Sequence, residues 1–187
     1  MGKHPPAKDQ ILYIFSSSEL LIFYLTVFYT FFNLNIYSAI LIFFIIMKTV
    51  ILHPIKKYME SSKFGKRPKK AFNCNMMNCG GKPASGGFPS GHMMILGMLS
   101  FIVYNLYTKK QNKNSIIIYI VLIITTFIGR IFTYCHTPLQ CISGLLIGML
   151  VGFILYFADN AIEDHLPIDI YKKHKEEFYN DLNSFTN

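Results

Sequence analysis

Residues 115–140 read SIIIYIVLIITTFIGRIFTYCHTPLQ, and this stretch decides the fold. Its first fifteen residues carry no charge, and they are dominated by isoleucine and other apolar side chains. A helix that crosses a membrane needs about 20 predominantly apolar residues. The run therefore predicts a transmembrane helix over about 115–134, with Arg130 near its end and His136 just beyond it.

Similar apolar runs recur along the chain, of which 52% is hydrophobic and only 15% charged. They predict further spans at about 11–32, 36–52, 92–107 and 139–157. The expected fold class is an all-α polytopic membrane bundle of about five transmembrane helices, forming a single domain over 1–187. Polar segments lie at 1–10, 53–91 and 159–187, and we expect the last to be a partly helical tail in water. These five spans place the N-terminus, the long 53–91 loop and the 134–138 connection on the same membrane face.

Basic residues are concentrated between Lys56 and Lys82, although the net charge of the whole chain is +8. A basic segment beside a membrane span typically contacts anionic headgroups or sets topology, and it can also bind phosphate. This distribution argues against a nucleic-acid-binding protein. Lys69, Lys70 and Lys82 are interpreted as a solvated basic face, with phosphate or headgroup binding as the alternative.

Arginine is rare in this chain, because only Arg67 and Arg130 stand among 18 basic residues. A planar guanidinium binds the oxygens of an anion through two parallel hydrogen bonds, which lysine cannot do. A charge at mid-bilayer also costs about 2.5–3.5 kcal/mol on insertion scales. Arg130 therefore faces either a polar cavity or, by extending its side chain, the membrane interface.

Pro89-Ser90-Gly91-His92 directly precedes an apolar run. Ser90 is well placed as an N-cap, and the free N–H groups of the first turn would form a site for an anion such as phosphate. His92 would then lie in that first turn, close enough to give a proton to a leaving group. The alternative is an ordinary capped helix with an interfacial histidine.

Thr137-Pro138-Leu139-Gln140 follows His136 and matches a capping box, with Thr137 at the N-cap and Pro138 at the first helical position. Gln140 would complete that box. It could instead accept a hydrogen bond from His136 and fix the tautomer of the imidazole.

The four cysteines leave two interpretations open. Cys74 and Cys79 flank a polar loop and could form a disulfide, but free thiols are favoured for them and for Cys135 and Cys141. The spacing does not match a zinc ribbon, so no metal site is expected.

Arg67-Pro68, Pro89-Ser90-Gly91-His92 and Arg130-x5-His136, in this order, resemble the type 2 phosphatidic acid phosphatase superfamily. The pattern of that superfamily is Lys-x6-Arg-Pro, Pro-Ser-Gly-His and Ser-Arg-x5-His-x3-Asp. The resemblance implies a membrane lipid phosphatase that needs no cofactor or metal and forms a phosphohistidine intermediate. It implies the following site: His136 as nucleophile, His92 as general acid, and Arg67, Arg130, Ser90 and Gly91 as phosphate ligands.

The chain departs from the family pattern at three positions. Glu60 stands where the family lysine is expected, so Lys57, Lys63 or Lys66 would have to replace it; Gly129 replaces a serine, and Gln140 replaces the aspartate. The dolichyl diphosphate phosphatase branch also has Tyr-His-Thr followed by Gln, similar to the segment from Tyr134 to Gln140. This likeness favours a polyprenyl diphosphate as substrate, with phosphatidic acid or a related lipid phosphate as the alternative.

Two other functions are compatible with the same residues. The departures at Glu60 and Gln140 also fit an inactive relative that binds lipid or serves as a scaffold. A channel or transport component, with Glu19 and Arg130 along a pathway, is the other candidate. In each case the expected location is an integral, multi-pass position in the bilayer, such as the endoplasmic reticulum or a host or viral membrane.

Overall fold

The computed structural model describes residues 52–71, 74, 86–165 and 169–186, together with Ile42, Ile46 and Val50. All of its regular structure in these ranges is helical. We number the helices α1 (52–59), α2 (Gly91–Met98), α3 (Ser100–Lys110), α4 (Lys113–Phe132), α5 (Pro138–His165) and α6 (Asp169–Thr186). The all-α prediction is thus confirmed for the described part of the chain.

Helices α4 and α5 correspond to the fourth and fifth predicted spans. Within the described ranges, Lys113–Phe132 and Pro138–Ala158 are the two helical stretches long and apolar enough to cross a membrane. Large apolar side chains stand exposed along both of them, among them Ile117, Val121, Ile124, Leu146, Leu150 and Phe153. The count of about five spans stays a prediction, because the first two predicted spans lie largely outside the described residues.

The third predicted span, at about 92–107, consists of two helices rather than one. Helix α2 ends at Met98, and α3 starts at Ser100 after the single residue Leu99. Hydrogen bonds from Leu99 N to Ile95 O and from Ile102 N to Leu99 O carry the chain through this junction. The run 92–107 is therefore helical as predicted, but it is interrupted near its middle.

Close packing of α2 on α5 forms the centre of the described structure. Gly144 and Gly148 lie four residues apart on α5, and a Cβ atom at either would collide with the backbone of Ser90 or Met94. Small residues at this spacing let two helix backbones approach closely, as is common in membrane bundles. The start of α2, with the Pro-Ser-Gly-His segment, is thereby held against α5.

The C-terminal segment is more ordered than the predicted polar tail. Helix α5 continues to His165, and α6 packs Tyr171, Phe178 and Tyr179 against α3, where Phe101, Ile102 and Leu106 complete a buried cluster. Two hydrogen bonds tie α6 to the α3–α4 region, from Asn105 Nδ2 to Tyr179 Oη at 2.9 Å and from Asn112 Nδ2 to Asn183 Oδ1 at 2.6 Å. The expected partly helical tail is therefore a helix that buries one face of its amphipathic sequence against α3, and its location in water stays a prediction.

The predicted loop 53–91 also begins differently from the expectation. Residues 52–59 are helical, so the helix preceding the loop continues past the predicted end of the second span. Polar helix formers such as Lys56 and Lys57 extend it, because leaving the apolar run does not by itself end a helix.

Candidate active site

The turn after α4 places His136 directly against the backbone of Arg130. Helix α4 ends at Phe132, and Tyr134 takes the left-handed conformation with φ 55°. The backbone N–H groups of Cys135 and His136 both donate to Arg130 O, at 3.1 and 3.2 Å. Left-handed backbone is uncommon for a side chain as bulky as tyrosine. The turn therefore adopts an unfavourable local conformation that brings the histidine back towards the arginine.

His136 is buried, with 2% of its surface exposed, and both of its ring nitrogens have neighbours. Nδ1 lies 2.8 Å from Gly87 O, and Nε2 lies 3.3 Å from Arg67 Nη1. A carbonyl only accepts hydrogen bonds, so the proton belongs on Nδ1. Nε2 consequently carries the lone pair that a nucleophile needs.

The charge state of His136 follows from its surroundings. Burial holds the pKa of His136 well below its ordinary value, and the positive charges of Arg130, Arg67 and Lys56 lower it further. The hydrogen bond to Gly87 opposes this shift, but it does not reverse it. The imidazole is therefore neutral at neutral pH, as nucleophilic attack requires.

Arg67 connects the first motif to the third. Its Nη1 donates to Cys135 O at 2.7 Å and also approaches His136 Nε2. Burial, followed by the repulsion of Arg130, lowers the pKa of Arg67 to about 10. The guanidinium remains charged at neutral pH, and the repulsion between the two arginines would be relieved by an anion placed between them.

Arg130 occupies the equivalent position beside the other histidine. It is 1% exposed, with Nη1 3.4 Å from His92 Nε2 and Nη2 donating to Cys74 O at 2.8 Å. The alternative in which Arg130 extends to the membrane interface is thus not what the structure shows. Both arginines therefore contact a histidine and a backbone carbonyl.

Ser90 and Gly91 lie at the start of α2, as the motif predicts. Ser90 occupies the N-cap position, but its side chain makes no capping hydrogen bond, which corrects the expected capping role. Its backbone is fixed instead, because Ser90 N donates to Gln140 O at 3.0 Å and Ser90 O accepts from Met94 N at 3.0 Å. The first turn of α2 therefore begins without a serine cap, and His92 in that turn lies next to Arg130.

Gln140 completes the predicted capping box and does not contact His136. Its Oε1 accepts from Thr137 N at 3.1 Å, and its backbone N–H donates to Thr137 Oγ1 at 3.3 Å. Its Nε2 donates to Phe64 O at 2.8 Å and to Lys66 O at 2.9 Å, which fastens the loop carrying Arg67 to α5. The direct hydrogen bond to the imidazole considered from the sequence is therefore wrong, since Gly87 O occupies that position.

Gly87 is a residue that sequence reasoning missed. A Cβ atom there would meet the side-chain amide of Gln140, and Gly87 N donates to Gly65 O at 2.7 Å. Gln140 thus reaches His136 only indirectly, by packing against the glycine whose carbonyl holds Nδ1. A carbonyl at this position carries no sequence signal, because any residue has one.

Among the lysines, the structure draws attention to one outside the predicted set. Lys57 and Lys66 are exposed, whereas Lys56 is half-buried and close enough to His136 to lower its pKa. Phosphate binding by Lys57 and Lys66 stays a prediction. Lys56 is therefore a further basic group near the site, supplied by α1.

A disulfide corrects the interpretation of the cysteines. Cys74 is bonded to Cys135, 61 positions later, and only Cys141 is a free cysteine among the described residues. The suggested Cys74–Cys79 pair and the favoured free thiols at Cys74 and Cys135 are therefore wrong. Sequence spacing could not reveal this pair, because the two cysteines become neighbours only when the loop folds onto the end of α4.

The arrangement is therefore two histidines, each faced by an arginine, beside the start of a helix. A sequence model of the PAP2 superfamily matches residues 37–163, which is more than half of the chain and includes all three motifs. The chain belongs to the PAP2 superfamily. Members of the PAP2 superfamily are phosphatases that hydrolyse phosphoric esters, so this chain is a hydrolase of that kind. Neither the curated proteins nor the solved structures that were compared with it gave a match.

Proposed function

We propose that this PAP2 protein hydrolyses the phosphate of a membrane lipid through a phosphohistidine at His136. One observation carries the proposal: Arg67 Nη1 and Arg130 Nη1 lie 3.3 and 3.4 Å from the Nε2 atoms of His136 and His92. A phosphoryl group bound between the two guanidinium groups would meet one imidazole on each side. Attack and leaving-group protonation in phosphoryl transfer are roughly in line, so this placement suits the reaction.

The first step forms a bond between His136 Nε2 and phosphorus while the bond from phosphorus to the lipid oxygen breaks. His92 gives its proton to that oxygen, and the lipid alcohol, or the lipid monophosphate from a diphosphate, leaves. In the second step a water attacks phosphorus and gives a proton to His92, the N–P bond breaks, and inorganic phosphate is released. Arg67, Arg130 and the N–H group of Gly91 stabilise the negative charge in both steps, whereas the N–H group of Ser90 is already donated to Gln140 O.

Gly87 replaces the family aspartate in this scheme. The carbonyl holds the proton on Nδ1 and so orients Nε2, but it cannot balance a developing imidazolium as a carboxylate does. The neutral state of His136, favoured by burial and by three cations, already supplies the nucleophile. We therefore propose that an oriented neutral imidazole is sufficient and that Gln140 supports it through Gly87.

The lipid setting of the substrate is inferred from the apolar surface of α4 and α5. Exposed aliphatic and aromatic side chains run along both helices, and the site lies at the C-terminal end of α4, next to this apolar surface. Such a surface is stable in a bilayer and unfavourable in water. A headgroup at the interface would then reach the arginines while the lipid tail stays among apolar side chains.

A diphosphate is the more specific substrate that we propose, such as that of a polyprenyl lipid. The second phosphate would need additional positive charge, and Lys56, Lys57 and Lys66 lie on the segment that carries Arg67. A monophosphate such as phosphatidic acid would use the two arginines alone. The relative rates on the two substrates therefore decide how much the lysines contribute.

The test is release of inorganic phosphate by the full chain in detergent from a polyprenyl diphosphate, phosphatidate and a sphingoid phosphate. We expect release that vanadate inhibits, an acid-labile phosphoenzyme, and loss of both in His136→Ala by at least about 10³-fold. His174→Ala is the matched control, because it removes a histidine from the distant helix α6. Phosphate release that is unchanged in His136→Ala would reject the mechanism, and no release from any substrate would favour an inactive lipid-binding relative.

A further inference from the structure

The Cys74–Cys135 disulfide joins the two segments that carry the arginines. Cys74 follows the loop that contains Arg67, and Cys135 follows the helix that contains Arg130. Their Cα atoms are 5.3 Å apart, and neither cysteine has any exposed surface. The disulfide bond is therefore buried within the site and does not lie at its surface.

The arginines bind the two half-cystines in a crossed pattern. Arg67 donates to Cys135 O at 2.7 Å, whereas Arg130 donates to Cys74 O at 2.8 Å. Each guanidinium thus contacts the carbonyl of the segment to which it does not belong. Because the disulfide fixes the separation of these two carbonyls, it also fixes the separation of the two guanidinium groups.

The nucleophile is tied to the same bond. His136 directly follows Cys135, and the N–H groups of both residues donate to Arg130 O. A displacement of Cys135 would therefore move His136 Nε2 and the acceptor of Arg67 together. Catalytic groups must be held within about 0.5 Å of their productive geometry, so a modest displacement would suffice to disable them.

We propose that the Cys74–Cys135 disulfide is a positioning element of the phosphate site, and that the site is assembled only when these two cysteines are oxidised. The inference rests on the proposed function for its catalytic consequence, but phosphate binding tests it separately. Its physical basis is that a guanidinium binds well only where its acceptors are fixed. Disulfides persist in oxidising compartments, so the site belongs on a membrane face exposed to one.

Reduction of the Cys74–Cys135 disulfide is a two-electron step. Dithiothreitol gives up two electrons and two protons and becomes a cyclic disulfide, while the Sγ–Sγ bond breaks and Cys74 and Cys135 become thiols. The two carbonyls are then connected only through the intervening chain. Arg67 and Arg130 would lose their fixed acceptors, and the affinity for an anion between them would fall.

The experiment uses the full chain in detergent, oxidised or treated with dithiothreitol, and measures inorganic phosphate binding and turnover. Peptide mapping without reductant should recover Cys74 linked to Cys135. We expect reduction to weaken phosphate binding and lower kcat/KM by at least about 10-fold, with KM rising because phosphate ligands are displaced. Reoxidation of the same sample should restore both quantities, which separates repositioning from irreversible unfolding.

Cysteine variants test separately whether the effect of reduction comes from the Cys74–Cys135 disulfide. Cys74→Ala combined with Cys135→Ala should show the reduced level of binding and no further response to reductant. Cys141→Ala is the matched control, since it removes a buried free cysteine and should keep the wild-type ratio between oxidised and reduced activity. A circular dichroism spectrum with unchanged helix content would show that the double variant still folds.

Several outcomes would overturn the inference. These are wild-type phosphate binding in the double variant, a mapped Cys74–Cys79 bond, no effect of reduction, or no binding of inorganic phosphate by the oxidised protein. Reductant-sensitive phosphate binding without turnover of any lipid phosphate would instead support the positioning role and reject only the proposed function. A failure of the disulfide inference can therefore be distinguished from a failure of the proposed function.

Discussion

The two ends of helix α4 are held in place by different kinds of interaction. Near its C-terminal end, Arg130 is buried and makes contacts with His92 and with a backbone carbonyl next to a disulfide. At its N-terminal end, Asn112 caps the helix and its side chain pairs with α6, beside a cluster of aromatic and aliphatic residues. The helix has 20 residues, so the two ends are about 30 Å apart.

The interactions at the C-terminal end of α4 serve function, whereas those at its N-terminal end serve stability. Burying a guanidinium is costly, and it is retained where a fixed positive charge can bind an anion. At the other end the buried polar groups are mostly neutral amides and hydroxyls, whose hydrogen bonds each contribute about 0.5–1.5 kcal/mol. Substitutions at the two ends should therefore be separable, with activity lost at one and stability at the other.

Among the substitutions that separate the two ends of α4, Arg130→Lys is expected to have the largest effect, because it disrupts the site while it preserves the positive charge. The lysine ammonium is a point charge and lacks the planar guanidinium that contacts His92 and Cys74 O together. Phosphate would therefore be bound by a misplaced charge. We expect kcat/KM to fall by about 10²–10³-fold, as for the loss of one transition-state donor. Steady-state kinetics with the best lipid phosphate of the panel measures the loss.

Lys113→Arg, at the start of the same helix, is the control variant, because it replaces lysine by arginine instead of arginine by lysine. It should leave kcat/KM within about 2-fold of the wild-type value. A comparable loss in that variant would mean that the two ends of α4 do not differ as described. Equal activity of Arg130→Lys and wild type would remove Arg130 from the mechanism.

The four central side chains of the site were the part that the sequence predicted best. Three short motifs and the rarity of arginine identified His92, Arg130, Arg67 and His136, and the structure brings these four together. For Arg130 the reason is physical, because a charged side chain near an apolar span must have a specific partner or a polar cavity. The roles of Arg67, His92 and His136 came from the resemblance of their motifs to those of the family.

Other parts of the site could not be predicted, because their role resides in the backbone or in distant pairing. Gly87 acts through its carbonyl, and Cys74 meets Cys135 only after the loop has folded. The fold shows the same division. The periodic apolar runs of α4 and α5 were recognised, whereas the packing of α6 depends on tertiary contacts.

A smaller effect, on stability rather than activity, is expected from Tyr179→Phe at the other end. The hydroxyl accepts a hydrogen bond from Asn105 Nδ2 at 2.9 Å, and Asn105 is 1% exposed. Its removal leaves a buried donor without its acceptor, which costs about 1–3 kcal/mol in the free energy of unfolding. Thermal unfolding in detergent should show a lower midpoint, while kcat/KM stays within about 2-fold of wild type.

A double variant tests whether the unpaired amide of Asn105 causes the loss of stability. Asn105→Leu combined with Tyr179→Phe replaces both partners by apolar groups, and much of the lost stability should return. Should the double variant be less stable than Tyr179→Phe alone, the unpaired amide is not the cause. A large loss of activity in Tyr179→Phe would contradict the separation of the two ends.

The smallest effect concerns the charge environment of His136, and Lys56→Gln tests it. Lys56 lowers the pKa of His136, so its neutralisation should raise that pKa and move the acidic limb of kcat/KM towards higher pH. At the effective dielectric constant of a protein surface we expect a displacement of about 0.3–1 pH unit. Lys57→Gln, at the exposed neighbouring position, should displace the limb less.

The sign of the matching stability effect is fixed by linkage. The folded protein holds His136 neutral, whereas the unfolded chain takes up a proton as the pH falls below its ordinary pKa of about 6.5. Wild-type stability therefore decreases from about pH 6.5 downwards, until the lower pKa of the folded state is reached. Lys56→Gln narrows that pH window because it brings the two pKa values closer together. The total loss of stability between about pH 7.5 and the acidic plateau should be smaller in Lys56→Gln than in wild type, and an equal or larger loss would show that Lys56 does not act on His136.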